Sequence, residues 1–387
     1  MKKVLVFGLI AGAGFLMGSC SKDAANSEFS QNAIEFGTYL GRDAQTKGAI
    51  TSSTSIQNSG FGVTAFYTGQ KAWAEYGVAT APNFMYNQKV EYATSAWSYS
   101  PVKYWPTMKG DKISFFAYAP YKAAGIALAN NNAPEANTSL TFTVQDDAAN
   151  MVDFVAAQVI DATQKDAAEG GHDAVNFTLK HELSRLAFKV KTSDNMAEES
   201  HVVLKEVDLA AGDFFYKSAT YKFADATTAN DVKGTWSNPT KMSADYNVVG
   251  VLDGFQAQTI GGKTYTAAVR DLKSATAEAL FKTDGYLFLI PVEGGLAENK
   301  AAVTFKYDIV TKDANLKDGY SCTEATKTVY LPAGLLQQGK AYNVTFTFNV
   351  DQIEVAASVA DWATDETSEV KVPFTPDDAT ATTTTTE

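Results

Sequence analysis

Few side chains in this sequence stand at spacings that chemistry can use. The histidines are His172, His181 and His201. His181-Glu182 begins like a zinc-protease helix, where two histidines four residues apart share one face, but position 185 is Arg185 and the second ligand is missing. His172 follows Gly170-Gly171 and reads as a loop residue. Gly60-Phe61-Gly62 and Gly261-Gly262 lack the spacing of a phosphate-cradling loop, and no helix is expected after either. There is no Gly-x-Ser-x-Gly elbow and no Cys-x-x-Cys pair, and Asp146-Asp147 reads as a solvated turn rather than an acid/base couple. These residues predict no catalytic group, no metal ligands, no cofactor and hence no enzyme.

One sulfur is placed for chemistry of another kind. Lys2 and Lys3 precede an apolar run from Val4 to Met17, too short and Gly-rich to span a bilayer, with the layout of a secretory signal. Small residues close it, and Leu16-Met17-Gly18-Ser19-Cys20 resembles the lipobox of bacterial lipoproteins. That resemblance implies that residues 1–19 are removed and that the Cys20 thiol carries acyl chains, each adding roughly 0.8 kcal/mol per buried methylene to membrane attachment. Lys22-Asp23 looks like a signal for export to the cell surface. With Cys20 acylated, Cys322 has no disulfide partner in the monomer. It reads as structurally neutral, because a reactive thiol needs a basic neighbour that its local sequence does not supply.

The elements that follow are strands. The net charge of −12 excludes nucleic acid and anionic lipid as partners, since both need basic patches. Apolar residues make up 45% against 20% charged, which demands a large buried core. Ile34–Leu40 alternates as a first strand, and Phe61, Val63, Ala65 and Tyr67 mark one face of a second. Further strands are expected at 97–99, 112–118, 139–144, 154–157 and 175–179. Leu186, Phe188 and Val190 alternate with wet neighbours. After them come 202–209, 214–223, 285–290, 303–310, 328–331, the strict alternation from Tyr342 to Val350, and Ile353–Val355. Helix is nearly absent, with a turn or two expected at Thr276–Lys282 and Ser184–Leu186. Gly, Pro, Asn and Asp in the gaps give the spacing of antiparallel sandwiches. A polar run over Thr192–Ser200 suggests a domain boundary. The expected organisation is a signal peptide (1–19), a tether (20–33), β-sandwich domains at 34–193 and 194–375, and a threonine-rich tail (376–387).

Three further segments keep a fixed order. They are Phe61-Gly62-Val63-Thr64-Ala65-Phe66-Tyr67-Thr68, Pro101-Val102-Lys103-Tyr104-Trp105-Pro106 and Ile113–Tyr121. With His181–Val190, the closing Ile353–Trp362 and the lipobox, they give the chain a resemblance to the fimbrillin family, the lipoprotein pilins of Bacteroides-like bacteria, over nearly its whole mature length. The resemblance implies an all-β protein of two tandem transthyretin-like antiparallel β-sandwich domains. It implies a surface-exposed lipoprotein of the cell outer membrane, held there through Cys20 and built into a fimbrium with other pilin subunits in support of cell adhesion. It further implies a trypsin-like protease that cuts at Arg42 or Lys47, releasing Ile34–Leu40 so that a neighbouring subunit's strand fills the groove. Ile353–Val359 and Glu369–Phe374 are the candidate donors. An alternative is a surface glycan-binding lipoprotein, in which Trp105 or Trp97 stacks on sugar rings and Tyr104-Trp105-Pro106 forms the platform.

Overall fold

The structure is a computed structural model that describes residues 32–40, 51–76, 81–128, 139–165, 174–210, 214–224, 233–283, 285–349 and 352–362. It is all-β, as the alternating patterns require. A six-stranded antiparallel sheet runs in the order Lys180–His181, Val155–Thr163, Lys112–Ala119, Phe61–Gly69, Met85–Ala93, Ala96–Ser98. Its central strands are apolar on both faces because both faces are covered. Phe61, Val63, Ala65, Phe115 and Ala117 point to one core, while Phe66, Phe116 and Tyr118 point to the other.

The first core is closed by the short leading strand, Phe36–Tyr39, which pairs with Val175–Thr178 as a separate two-stranded sheet. The second is closed by a four-stranded sheet of Thr235–Lys241, Tyr216–Lys222, Ser139–Thr143 and Ile126–Leu128. Rings meet between these layers, with Phe154 lying 5.0 Å from Tyr221 and Phe116 5.3 Å from Phe223.

The remaining strands form a sandwich. One sheet orders Glu278–Ala279, Ser184–Thr192, Lys340–Phe348 and Ile353–Asp361, with Leu287–Leu289 also paired to Ser184–Thr192. The facing sheet orders Gln256–Ile260, Lys263–Leu272, Ser200–Ala210, Ala302–Lys312 and Tyr320–Tyr330. Phe305 reaches Phe346 at 4.8 Å and Phe348 at 5.2 Å across the gap.

Two details depart from expectation. Ser184–Leu186 and Thr276–Lys282 do not turn into helix. The first opens the strand Ser184–Thr192, and within the second Glu278–Ala279 pairs with that strand. Helix occurs instead at Ser53–Ser59, capped by Ser52, and at Trp73–Tyr76. Each is too short to show a 3.6-residue period.

Strand pairing also crosses the expected 193/194 division. Ser184–Thr192 runs parallel to Lys340–Phe348 over its length, and Ser139–Thr143 pairs with Tyr216–Lys222. The polar run at 192–200 is a surface turn joining the two sheets of one sandwich, and exposure explains its composition.

The passage between layers takes four residues. His181 still pairs with Val155, while Ser184 already belongs to the sandwich. Glu182 lies between them, 1% exposed. Its carboxylate accepts from the Gln338 side chain and its carbonyl accepts from Trp236 Nε1 at 3.0 Å. Gly339 N donates to Leu183 O and Ser184 Oγ to Gln337 O, tying the turn before Lys340–Phe348 to this joint. Burial outweighs the hydrogen bonds from Gln338 and Tyr221 and pushes the Glu182 carboxyl up to about 8.

The folded protein therefore holds a proton on Glu182 that the unfolded chain releases near the ordinary value of 4.5. Stability from this group is full below that value and declines as pH rises towards 8. Urea denaturation between pH 5 and 8 should show a fall of at most about 1.4 kcal/mol per pH unit from this residue. Glu182→Gln should flatten the fall while keeping the fold.

Candidate functional site

The expected sites divide into those the structure describes and those it does not. Cys20, Arg42, Lys47, His172 and Glu369–Phe374 lie outside the described residues. Inside them, His181 is buried, with Nδ1 2.9 Å from Asp153 Oδ2 and its ring stacked 4.2 Å from Trp362. Asp153 also accepts Thr51 N at 2.8 Å on that oxygen and Thr51 Oγ1 at 3.0 Å on its carbonyl. His201 pairs with Asp271 at 2.9 Å. Asp146 and Asp147 sit in a turn, Asp146 on Lys217 and Asp147 capping Ala148–Asn150. No group of three or more His, Cys, Asp or Glu able to hold a metal ion occurs among the described residues.

Cys322 does have a basic neighbour, which its local sequence hides. Lys263 Nζ lies 3.0 Å from its sulfur, brought over the sheet by the Lys263–Leu272 strand. The same ammonium is held by Asp308 Oδ2 at 2.8 Å, which also accepts Tyr265 OH, and Lys205 pairs with Oδ1 at 2.6 Å. Burial pushes the Asp308 carboxyl up, but these three donors outweigh it and hold it at about 2. The amine at the thiol is thus a charged ion-pair partner rather than a base.

The sugar-stacking surface expected at Trp105 is overturned by packing. Trp105 is 6% exposed, with its ring 6.0 Å from Phe115 in the core. Trp97 packs edge-on to Phe61 at 4.8 Å and Tyr92 at 5.0 Å. Tyr104 projects outward instead, because residues alternate along an extended segment.

The built feature of the molecule is the seat of its leading strand. Ile34, Phe36 and Leu40 are buried, and Glu35 and Tyr39 face outward, as the alternation from Ile34 to Leu40 predicts. Phe36 lies 5.1 Å from Tyr99, 5.8 Å from Phe115 and from Phe177, and 6.3 Å from Phe61. Burying these three apolar side chains contributes roughly 5–9 kcal/mol.

The backbone is gripped on both sides. Val175 N donates to Glu35 O and Leu179 N to Tyr39 O, both at 2.8 Å. Opposite, Ile34 N donates to Lys103 O and Trp105 N to Asn32 O, both at 2.9 Å. Tyr99 OH donates to Ile34 O at 2.9 Å, and burial raises the Tyr99 phenol, which keeps it a donor. Of the partners, Val175–Thr178 was legible as a strand and Lys103–Trp105 only as part of the turn region after 97–99, and nothing in their local sequence tells which strand they hold.

The Ile353–Val359 segment is engaged elsewhere. The strand Ile353–Asp361 pairs along its length with Lys340–Phe348, at the edge of its own sheet.

Comparison with known proteins agrees with this architecture. A family profile described as fimbrillin-like matches residues 49–362. The fimbrium subunit Fim1C of Phocaeicola vulgatus is 28% identical over 385 residues, covering 94% of this chain and 98% of its own. A crystal structure of a fimbrial protein from Bacteroides vulgatus superposes with a TM-score of 0.72 at 24% identity, covering 86% of this chain and all of that one, and shows the same fold.

Phe36→Ala removes the ring at the centre of the seat and should destabilise it by about 3–5 kcal/mol. Hydrogen exchange should report faster exchange at Val175 and Leu179, with Val344 and Phe346 in the distant sandwich unchanged.

Proposed function

Because the chain belongs to the fimbrillin-like family, we propose that it is a structural fimbrial subunit that polymerises by β-strand exchange at the seat of its leading strand. In this reading the precursor is exported as a lipoprotein acylated at Cys20 and reaches the cell outer membrane. A trypsin-like protease then cuts at Arg42 or Lys47. The partners are other subunits of the fimbrium, which serves cell adhesion.

The single observation behind the exchange step is how the leading strand is held. It belongs to none of the four larger sheets, and Val175–Thr178 has no other ladder partner among the described residues. Its removal leaves a row of unpaired backbone groups beside the exposed rings of Phe61, Phe115 and Phe177. Unpaired donors and acceptors next to an apolar groove strongly favour a replacement strand. Both candidate cleavage residues follow Leu40 closely, so a cut at either severs the strand from the body it fills. Of the two candidate donors, Ile353–Val359 is already paired throughout, which favours Glu369–Phe374.

Limited trypsin treatment of the purified precursor should clip it after Arg42 or Lys47 and convert monomer into ladders that survive mild denaturant. The N-terminus of the assembled material should be Asp43 or Gly48. Arg42→Ala combined with Lys47→Ala should leave the protein monomeric. A precursor that is cut at these residues, loses Ile34–Leu40 and stays monomeric overturns strand exchange.

A further inference from the structure

We propose that Asn176 is a specificity-determining residue of the seat, a gate that fits the glycine of the resident strand and must swing aside for a strand from another copy. Its role in assembly rests on the strand-exchange reading, whereas its geometry does not.

Gly37 and Asn176 are direct partners in the parallel register of Phe36–Tyr39 with Val175–Thr178. A Cβ placed on Gly37 would collide with Asn176 Oδ1 and lie 3.3 Å from its Cγ. Gly37 is not among the positive-φ glycines, so no left-handed turn calls for it. The contact is with the free end of an exposed side chain, so a larger residue at position 37 displaces the Asn176 amide rather than the backbone, a close approach of the kind a strand glycine marks. Asn176 is held in this pose by its Nδ2, which donates to Ala174 O at 3.0 Å. Both groups lie on the outward face, away from Phe36, so the gate acts independently of the apolar fit beneath.

The rest of the sequence supplies the asymmetry. The last glycine in the chain is Gly339, so neither Ile353–Val359 nor Glu369–Phe374 contains one. A C-terminal strand taken up in this register brings a side chain to the position facing Asn176. It must break the Asn176–Ala174 hydrogen bond and rotate the amide outward before the ladder closes. The resident strand meets no such obstacle. The gate therefore biases the uncut precursor towards its own strand and slows filling of the seat after the cut.

Two measurements on the full chain decide the matter. In the uncut precursor, Gly37→Ala should raise hydrogen-exchange rates at Val175 and Leu179 by about tenfold. Asn176→Ala alone should leave them within about twofold, and the double variant should recover most of the loss. In the clipped protein, Asn176→Ala should polymerise several-fold faster than wild type. A double variant as fast-exchanging as Gly37→Ala overturns the gate whatever happens in assembly. Recovery in the double variant without faster polymerisation overturns its role in exchange. Failure of the wild-type protein to polymerise at all sinks the strand-exchange reading, and the precursor measurement still decides whether Asn176 reads Gly37.

Discussion

A buried strand cannot be half-paired. Each backbone N–H and C=O taken out of water must find a partner, and this rule governs the leading strand more severely than any other part of the molecule. Here the four-residue ladder Phe36–Tyr39 pairs with Val175–Thr178, while Asn32 and Ile34 just ahead of it bond to Trp105 and Lys103, with the Tyr99 hydroxyl closing the Ile34 carbonyl. Its apolar residues complete a core that contains Phe61, Phe115 and Phe177. The core and the ladder are satisfied by the same short piece of chain, so neither can be completed without it. That piece is joined to the sheets that follow it through residues 41–50. Few arrangements concentrate so much of one layer's integrity in so few residues.

The alternation of apolar and polar residues carried most of the fold. Tyr342–Phe348 and Leu186–Val190 show it because one face of each packs on a core and the other meets water or a neighbour. Phe61–Gly69 was legible from Phe61, Val63, Ala65 and Tyr67 on one face, and the structure covers its other face as well. Strands with mostly exposed side chains were missed or shortened. Thr235–Lys241 carries Pro239 at a sheet edge, Gln256–Ile260 is polar, and Tyr320–Tyr330 shows only its last residues as strand. Their inward faces carry few large apolar side chains, Tyr320–Tyr330 presenting Cys322, Ala325 and Val329 among threonines and charges, so the apolar pattern is weak. At the seat, the burial of Ile34, Phe36 and Leu40 could be read from spacing alone. The partner could not, because a parallel pairing between Phe36–Tyr39 and Val175–Thr178 is a long-range choice that leaves no local trace. The Lys263 contact with Cys322 escaped for the same reason.

The joint at Lys180–Ser184 shows how a division expected from composition dissolves in three dimensions. A polar run marked 192–200 as a place to cut the chain into two bodies, yet the passage between layers occurs earlier, in a buried stretch whose polar groups are paired within the fold. Leu183 is fully buried and Glu182 nearly so. Burying a carboxyl is unfavourable unless it is neutral and hydrogen-bonded, and Gln338, ahead of Lys340–Phe348, and Tyr221, in the four-stranded sheet, supply those bonds. The hydrogen bonds that make Glu182 tolerable thus tie the joint to the turn before Lys340–Phe348 and to the four-stranded sheet.

The His181 contact has a mechanical consequence. Thr51 and Trp362, far apart in sequence, meet on opposite sides of one Asp153–His181 pair. A pull applied between those two residues loads that pair, and from Trp362 it also reaches the core through Phe288, 5.7 Å from its ring, and the sandwich through its N–H on Gly339 O. The side-chain pair, the core ring and the sandwich backbone therefore share tension that enters at Trp362.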